Sequence, residues 1–310
     1  MKNFNKKKPL IVVAGPTASG KTGLAISLAK QFSGEVISAD SMQIYKYMDI
    51  GTAKPDEKER DGVIHHMLDV VYPDEAFSVF DYAKNARKII KECHERGAVP
   101  ILAGGTGLYI NNIIYNIMLS EESGDGKIRE MLEKRLKEEG IEKLYCELER
   151  IDGKAAEKIH INNTKRVLRA LEIFYSSGKT MTEQNELSRQ IESEYEVLML
   201  IPKHEREVLY DRINKRVDIM LEAGLVREVE NLIEMGYSKD LNSMQAIGYK
   251  EMFSYFDGEC SLNEAAELIK QNSRRYAKRQ ITWFKRNEEA IYLEGDIAKK
   301  ATELAEKFLT

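Results

Sequence analysis

Gly15-Pro16-Thr17-Ala18-Ser19-Gly20-Lys21-Thr22 is the stretch on which the reading of this chain turns. It has the form G-x-x-x-x-G-K-[ST], together with the flanks that form requires. Leu10–Ala14 leads in as a short apolar run of strand type, and Leu24, Ile26, Leu28 and Ala29 mark an amphipathic helix leading out. The glycines let successive backbone N–H groups turn toward one anion at the positive end of that helix. Lys21 adds a point charge to the terminal phosphate, and Thr22 offers a hydroxyl to Mg²⁺. All eight residues are therefore expected to hold a di- or triphosphate. The loop alone leaves the fate of the phosphates open, because kinases, ATPases, GTPases and enzymes with a diphosphate leaving group share it.

Composition narrows the class. At 310 residues the chain has room for one large domain or for a core with a smaller partner. A content of 43% hydrophobic and 32% charged residues is that of a globular enzyme. No apolar run is long enough to span a bilayer, and the run behind the basic Lys2–Lys8 stretch is too short for a secretory signal. A cytoplasmic protein with no membrane partner is expected. Cys93, Cys146 and Cys260 are scattered and odd in number, which excludes a disulfide framework and a zinc site. His65-His66 lacks the i, i+4 spacing of a helical metal site and reads as structural, ahead of a strand-like run over Met67–Val71. The net charge of −4 supplies no global attraction to nucleic acid, so RNA binding has to come from local patches.

Strand and helix patterns alternate through the first part of the chain. Leu10–Ala14 is followed by a helix over Lys21–Phe32, a strand over Glu35–Ala39, a helix over Val79–Arg96 and a strand over Val99–Ala103. That alternation predicts an α/β fold: a P-loop NTPase-like parallel sheet core with helices on both faces. The polar break Ser120–Asp125 opens a charge-rich helical stretch with helices over Arg129–Glu139, Glu142–Arg150, Gly153–Lys158 and Thr164–Tyr175. A β-like run, Tyr195–Ile201, then returns, and Leu209–Met220 and Val226–Met235 read as further helices. We expect a first part of the core over residues 8–119, a mainly helical inserted domain facing RNA over 120–190, and a second part of the core with basic C-terminal helices over 191–310.

In such sheets ligands sit outside the carboxyl ends of the strands. The second strand delivers Asp40, for which three readings stand: an Mg²⁺ ligand, a general base, or the cap of the following turn. The next delivers Gly104-Gly105-Thr106-Gly107, with glycines that permit close approach and a hydroxyl near the loop. Two basic segments lie further on. Lys165 and Arg169 fall at i, i+4 on one helix face. Gln271–Arg286 carries Arg274, Arg275, Lys278, Arg279, Lys285 and Arg286, no acid, and the single tryptophan, Trp283, beside Phe284. The charges suit an RNA surface, while the two aromatics read as core.

Taken together, these residues resemble the tRNA dimethylallyltransferase (isopentenyltransferase) family. The matching stretches are Gly15–Thr22, Ile37–Tyr45, Asp49-Ile-Gly-Thr-Ala-Lys-Pro55, Gly104–Tyr109, Arg166–Glu172 and Lys278–Phe284. They span nearly the whole chain in order, and Asp40–Tyr45 joined to Asp49–Pro55 is far more specific than the loop. The resemblance implies transfer of a dimethylallyl group from dimethylallyl diphosphate to N6 of the adenine at tRNA position 37, next to the anticodon on its 3′ side. It implies Mg²⁺ as cofactor, held by Thr22, and tRNA, through its anticodon stem-loop, as partner to what is expected to be a monomer. Asp40, Thr106 and Arg216 match catalytic positions, with Arg212 an alternative to Arg216 on the same helical spacing. Asp40, Ser41, Met42, Gln43, Arg129, Lys165, Arg166, Val167, Leu168 and Arg169 match positions that contact tRNA.

A P-loop small-molecule kinase is the alternative from another class, with Asp40 as base and Lys165–Arg169 as a lid over ATP. The acid-free basic segment Gln271–Arg286 and the length beyond a compact kinase favour the prenyltransferase. A non-catalytic, ATP-switched RNA-binding protein would need neither Asp40 nor Thr106.

Overall fold

The computed structural model describes residues 7–115, 126–190 and 192–310. In chain order the first elements are β1 (Lys8–Ala14), α1 (Lys21–Gln31), β2 (Gly34–Ser38), α2 (Glu57–Arg60), β3 (His65–His66), α3 (Val79–Glu95), β4 (Val99–Gly104) and α4 (Gly107–Ile114). Five helices follow: α5 (Lys127–Glu139), α6 (Ile141–Ile151), α7 (Gly153–Ala156), α8 (Thr164–Ser177) and α9 (Met181–Gln190). The last are β5 (Tyr195–Pro202), α10 (Arg206–Glu222), α11 (Leu225–Glu234), a 3₁₀ turn at Ser243–Gln245, α12 (Tyr249–Phe256), α13 (Leu262–Phe284), β6 (Ile291–Leu293) and α14 (Ile297–Leu309).

The chain divides into two compact units, residues 7–110 with Glu194–Thr310, and Asn111–Ser193. In the larger unit the strands form one six-stranded sheet in the order β3-β2-β4-β1-β5-β6. Every pairing is parallel. This is the α/β parallel-sheet class expected from the alternating pattern. The apolar run of β1 takes the centre because it can be buried on both faces, and Leu10 through Ala14 are all at 0% exposure. Ile11 and Val13 share one core with Leu24 and Leu28 of α1 and Ala301 and Ala305 of α14. Each of the Ile, Val and Leu side chains among them contributes about 1.5–3 kcal/mol when fully buried. A second core joins Ile44, Tyr45 and Met48, after β2, to Val217, Val229, Met252 and Ile269 from α10 to α13. This core holds four helices over the carboxyl edge of the sheet.

The smaller unit is helical among its described residues. Leu132, Leu144, Leu148, Ala155, Val167 and Leu171 pool the apolar faces of α5 to α8 into its own core. The polar break expected over Ser120–Asp125 lies outside the described residues, as do the boundary between 119 and 120, residue 191 and most of Lys2–Lys8.

One element departs from expectation. The edge strand falls on His65-His66, which pairs with Val36 and Ile37, and Met67–Val71 continues only as an isolated bridge from Val71 to Tyr45. Met67 (φ 61°) and Asp69 (φ 55°) turn left-handed and take that run off the sheet edge.

Candidate active site

β1 ends where the phosphate loop begins. The chain turns through Gly15 (φ 146°), Ala18 (φ 62°) and Gly20 (φ 85°) before α1 starts. Gly20 occupies the N-cap position and no side chain caps the helix, so the first N–H groups of α1 are left for a ligand. Ser19 Oγ is buried beside them without a hydrogen-bond partner. The loop is braced from behind. Thr17 N donates to Gln280 Oε1 at 2.9 Å, Arg212 Nε to the Ala18 carbonyl at 2.8 Å, and His204 Nε2 to the Ser19 carbonyl at 2.9 Å. Gln280 Nε2 donates to the Gly105 carbonyl at 2.9 Å, so one α13 amide ties the ends of β1 and β4 together.

Close approach explains two glycines after β4. A Cβ on Gly105 would lie 2.2 Å from Gln280 Nε2, and one on Gly107 would lie 2.2 Å from the Trp283 ring. Trp283 is thus half-buried against α4, and Phe284 is core at 2% exposure.

In front of the loop lies a cavity of about 390 Å³, lined among others by Lys21, Thr22, Asp40, Arg216, Tyr276 and Gln280. Lys21 is half-buried and its Nζ donates to the Pro16 carbonyl at 3.2 Å. Burial, then the charge of Arg216, pulls its ammonium down to about 8, with Asp40 acting in the opposite sense. Burial also lowers Arg216, against the pull of Asp40 and Glu59. Two half-buried cations thus share one near carboxylate, an arrangement that an incoming anion relieves. Tyr276 is pushed up to about 12, first by burial and then by the Asp40 charge.

The strand ends position the rest. Asp40 Oδ1 accepts from Met42 N at 2.9 Å, so the acid also shapes its own turn. Thr106 Oγ1 accepts from Ser41 N at 3.0 Å, and Thr106 N donates to the Ala39 carbonyl at 3.0 Å. Thr106 therefore grips the Asp40–Ser41 turn. Gln43 faces inward: its Oε1 accepts from Ser38 Oγ at 2.9 Å, and its Nε2 donates to the Thr52 and Ala53 carbonyls at 3.3 and 3.2 Å. Met42 packs on the second core. Of the two arginines on one α10 face, Arg216 lines the cavity and Arg212 braces the loop.

In the smaller unit, Lys165 and Arg166 are exposed and form no ion pair among the described residues, whereas Arg169 pairs with Glu172 at 2.9 Å. Arg129 pairs with Glu133 at 3.1 Å and Glu172 at 3.7 Å. Val167 and Leu168 are buried, at 0% and 6% exposure, inside that unit's core. Arg275, Lys278 and Arg279 on α13, and Lys285 and Arg286 just after it, stay exposed, while Arg274 donates to Asn214 Oδ1 at 2.5 Å.

The scattered cysteines form no disulfide. Glu35, His66 and Cys93 lie close enough to suit a metal, but Glu35 Oε2 is occupied by His66 Nε2 at 2.6 Å and Arg96 Nη2 at 2.9 Å. An ion pair already fills that place. Gln280, Tyr276 and His204 were not singled out by sequence reasoning; a helical glutamine whose partner lies 263 positions away has no local signature.

An uncapped glycine-rich loop after a central strand of a parallel sheet, with two half-buried cations beside it, defines a P-loop protein. Residues 43–287 match the family model described as IPP transferase. The chain is 54% identical to the tRNA dimethylallyltransferase of Acetivibrio thermocellus, over 93% of this chain and 92% of the relative. It is 48% identical to that of Clostridioides difficile, over 98% and 97%. Among solved structures it is similar to the full-length tRNA isopentenylpyrophosphate transferase of Bacillus halodurans, with a TM-score of 0.73, 45% identity and coverage of 98% and 96%. It is also similar to a eukaryotic dimethylallyltransferase acting on tRNA, with a TM-score of 0.83, 31% identity and coverage of 97% and 77%. The chain belongs to the tRNA dimethylallyltransferase (IPP transferase) family. That membership does not favour the small-molecule kinase alternative.

Proposed function

We propose that the protein transfers the dimethylallyl group of dimethylallyl diphosphate to N6 of the adenine at tRNA position 37. The observation that carries this reading is the single cavity in which Lys21, Arg216 and Asp40 meet the uncapped start of α1. The exocyclic N6 attacks C1 of the prenyl group, the C1–O bond breaks, and diphosphate leaves with the bonding electrons. As the N6–C1 bond forms, N6 gives up a proton, for which Asp40 is the carboxylate at hand. A positioned base of this kind contributes about 10²–10⁴ in rate. Charge grows on the leaving diphosphate, and Lys21, Arg216 and the loop amides answer it in a water-poor site. Thr106 acts on this chemistry by fixing the turn that carries Asp40.

The cavity's oxygen donors suit Mg²⁺: the Thr22 hydroxyl and the substrate phosphates are hard ligands. When bound, the ion neutralises part of the diphosphate charge.

On this reading the chain works as a monomer on the anticodon stem-loop, from which the target base is turned out at a cost of a few kcal/mol. Exposed Lys165 and Arg166, with the basic side of α13, supply phosphate contacts. A cytoplasmic location is supported by a content of 32% charged residues and by the lack, among the described residues, of any helix long and apolar enough to cross a membrane.

The test mixes the protein with dimethylallyl diphosphate labelled in the prenyl group, Mg²⁺ and unmodified tRNA, and counts label retained in RNA. Label on N6 of the adenine beside the anticodon supports the proposal. Label transferred from γ-labelled ATP to a small molecule, with none in tRNA, overturns it.

A further inference from the structure

The segment Asp49-Ile-Gly-Thr-Ala-Lys-Pro55 takes no part in the chemistry above, yet it is tied down more heavily than any catalytic side chain. The backbone N–H groups of Asp49, Ile50 and Gly51 all donate to the carboxylate of Glu228, at 2.9, 2.7 and 3.0 Å. The Tyr249 hydroxyl adds a fourth bond at 2.6 Å. Successive amides aimed at one point form an anion nest, and here the anion is a side chain of α11. Gly51 is required because a Cβ there would lie 2.6 Å from the Tyr249 ring.

The far end of the segment has an anchor of its own in Lys54. Buried Lys54 Nζ reaches the Tyr45 carbonyl at 2.9 Å, Asp49 Oδ1 at 2.5 Å and Asp69 Oδ1 at 2.6 Å. Between the anchors, the Thr52 carbonyl accepts from Arg216 Nη2 at 3.4 Å and from Gln43 Nε2 at 3.3 Å. Arg216 forms no ion pair among the described residues, so this carbonyl is what orients its guanidinium above the phosphate loop.

We propose that Glu228 is a positioning residue for the diphosphate site, acting through the 49–53 backbone on Arg216. The inference rests on the proposed function for its ligand. Only a full carboxylate suits the place. An amide would offer one acceptor oxygen, and its NH₂ would face N–H donors. Losing part of the nest lets the segment drift, and the Thr52 carbonyl with it. Arg216 then spends its time away from the anion.

The test measures binding of inorganic diphosphate with Mg²⁺ by calorimetry, alongside KM for the donor and kcat. Glu228→Gln is expected to weaken diphosphate binding and raise the donor KM about tenfold, with a smaller change in kcat. Tyr249→Phe removes only the hydroxyl and is expected to act in the same direction by about threefold. It keeps the question answerable if Glu228→Gln fails to fold. The deciding readout is the double variant with Arg216→Ala. If Glu228 acts through Arg216, the double variant binds within about twofold of Arg216→Ala alone. If the losses of the two single changes multiply, or if neither Glu228→Gln nor Tyr249→Phe differs from the parent, Glu228 is merely structural and the inference fails. A parent protein that transfers and binds normally confines that failure to the inference. A parent that binds no diphosphate overturns the proposed function itself.

Discussion

Two sets of cations in this molecule are put to opposite physical uses. Lys21 and Arg216 are half-buried in one cavity, near enough for the charge of one to act on the other, with Asp40 as their shared near carboxylate. Lys165 and Arg166 on α8, and Lys278 on α13 with Arg286 just after it, stand in solvent. The buried pair holds charge in a place where charge is costly, and the cost is offset only when an anion arrives. Its grip on that anion is strong, geometric and little screened. The exposed set costs almost nothing to maintain and is worth little per contact, and salt screens it. The first arrangement suits a small leaving group whose charge grows during reaction, and the second a long polyanion that must be found and released.

The largest effect that can break this comparison comes from the buried pair. Lys21→Ala is expected to lower transfer by about 10³, the cost of deleting a preorganised charge at a developing anion. tRNA affinity in a gel-shift titration should stay unchanged. If transfer falls less than tenfold, the buried cations do not serve the leaving group.

Next comes Asp40→Asn. The amide keeps an oxygen for the Met42 N–H bond, so the turn survives and only the basic function is lost. A fall in kcat of about 10² is expected, at the lower end for a positioned base, with little change in donor KM. A variant with full kcat in single-turnover assays would remove Asp40 from the chemistry.

A pH titration sharpens the comparison by about one power of ten. Free Lys21 titrates at about 8 because burial and Arg216 hold it down. Bound diphosphate stabilises the ammonium, so the pKa is higher in the complex. Below pH 8 the free protein already carries the charge and affinity is at its ceiling. Above pH 8 a proton must be taken up, and affinity for dimethylallyl diphosphate should fall about tenfold per pH unit. Calorimetry in buffers of different ionisation heat should find about half a proton taken up at pH 8 and about a tenth at pH 7. Uptake that persists in Lys21→Arg would assign the proton to another group.

The buried half of this comparison was far more legible in the sequence than the brackets around it. Gly15–Thr22 is contiguous, and its chemistry is carried by backbone and one helix start, so eight letters are enough. Asp40 and Thr106 were readable because strands of a parallel sheet end on one edge. Gln280 and Glu228 were not, since the backbone atoms they hold lie 175 or more positions away and no periodicity marks a lone polar residue on a helix. Gln43 was read as a tRNA contact, but its amide is spent on Ser38, Thr52 and Ala53. The edge strands β3 and β6 are two and three residues long, too short for alternation to register. Val167 and Leu168 entered the RNA-facing set as members of a contiguous matching stretch. Their burial follows from the apolar stripe of α8, which the helical period places on the inner face.

The smallest expected effect tests the exposed half, and it turns on a difference within one helix. Arg166 has no carboxylate partner among the described residues, while Arg169, three positions on, is paired with Glu172, which Arg129 also approaches. A cation already paired must give up that partner to neutralise a phosphate, and the carboxylate left behind repels the RNA. Lys165→Ala combined with Arg166→Ala should therefore flatten the plot of log tRNA affinity against log salt by about 0.7–0.9 per charge removed. Arg169→Ala should flatten it by about half that or less, because the same change releases Glu172. In both cases kcat at saturating tRNA is expected to stay at the parent value. Equal slopes for Arg166→Ala and Arg169→Ala would mean that pairing within the helix does not ration its charges. A loss of kcat would carry these residues across to the buried set and dissolve the distinction.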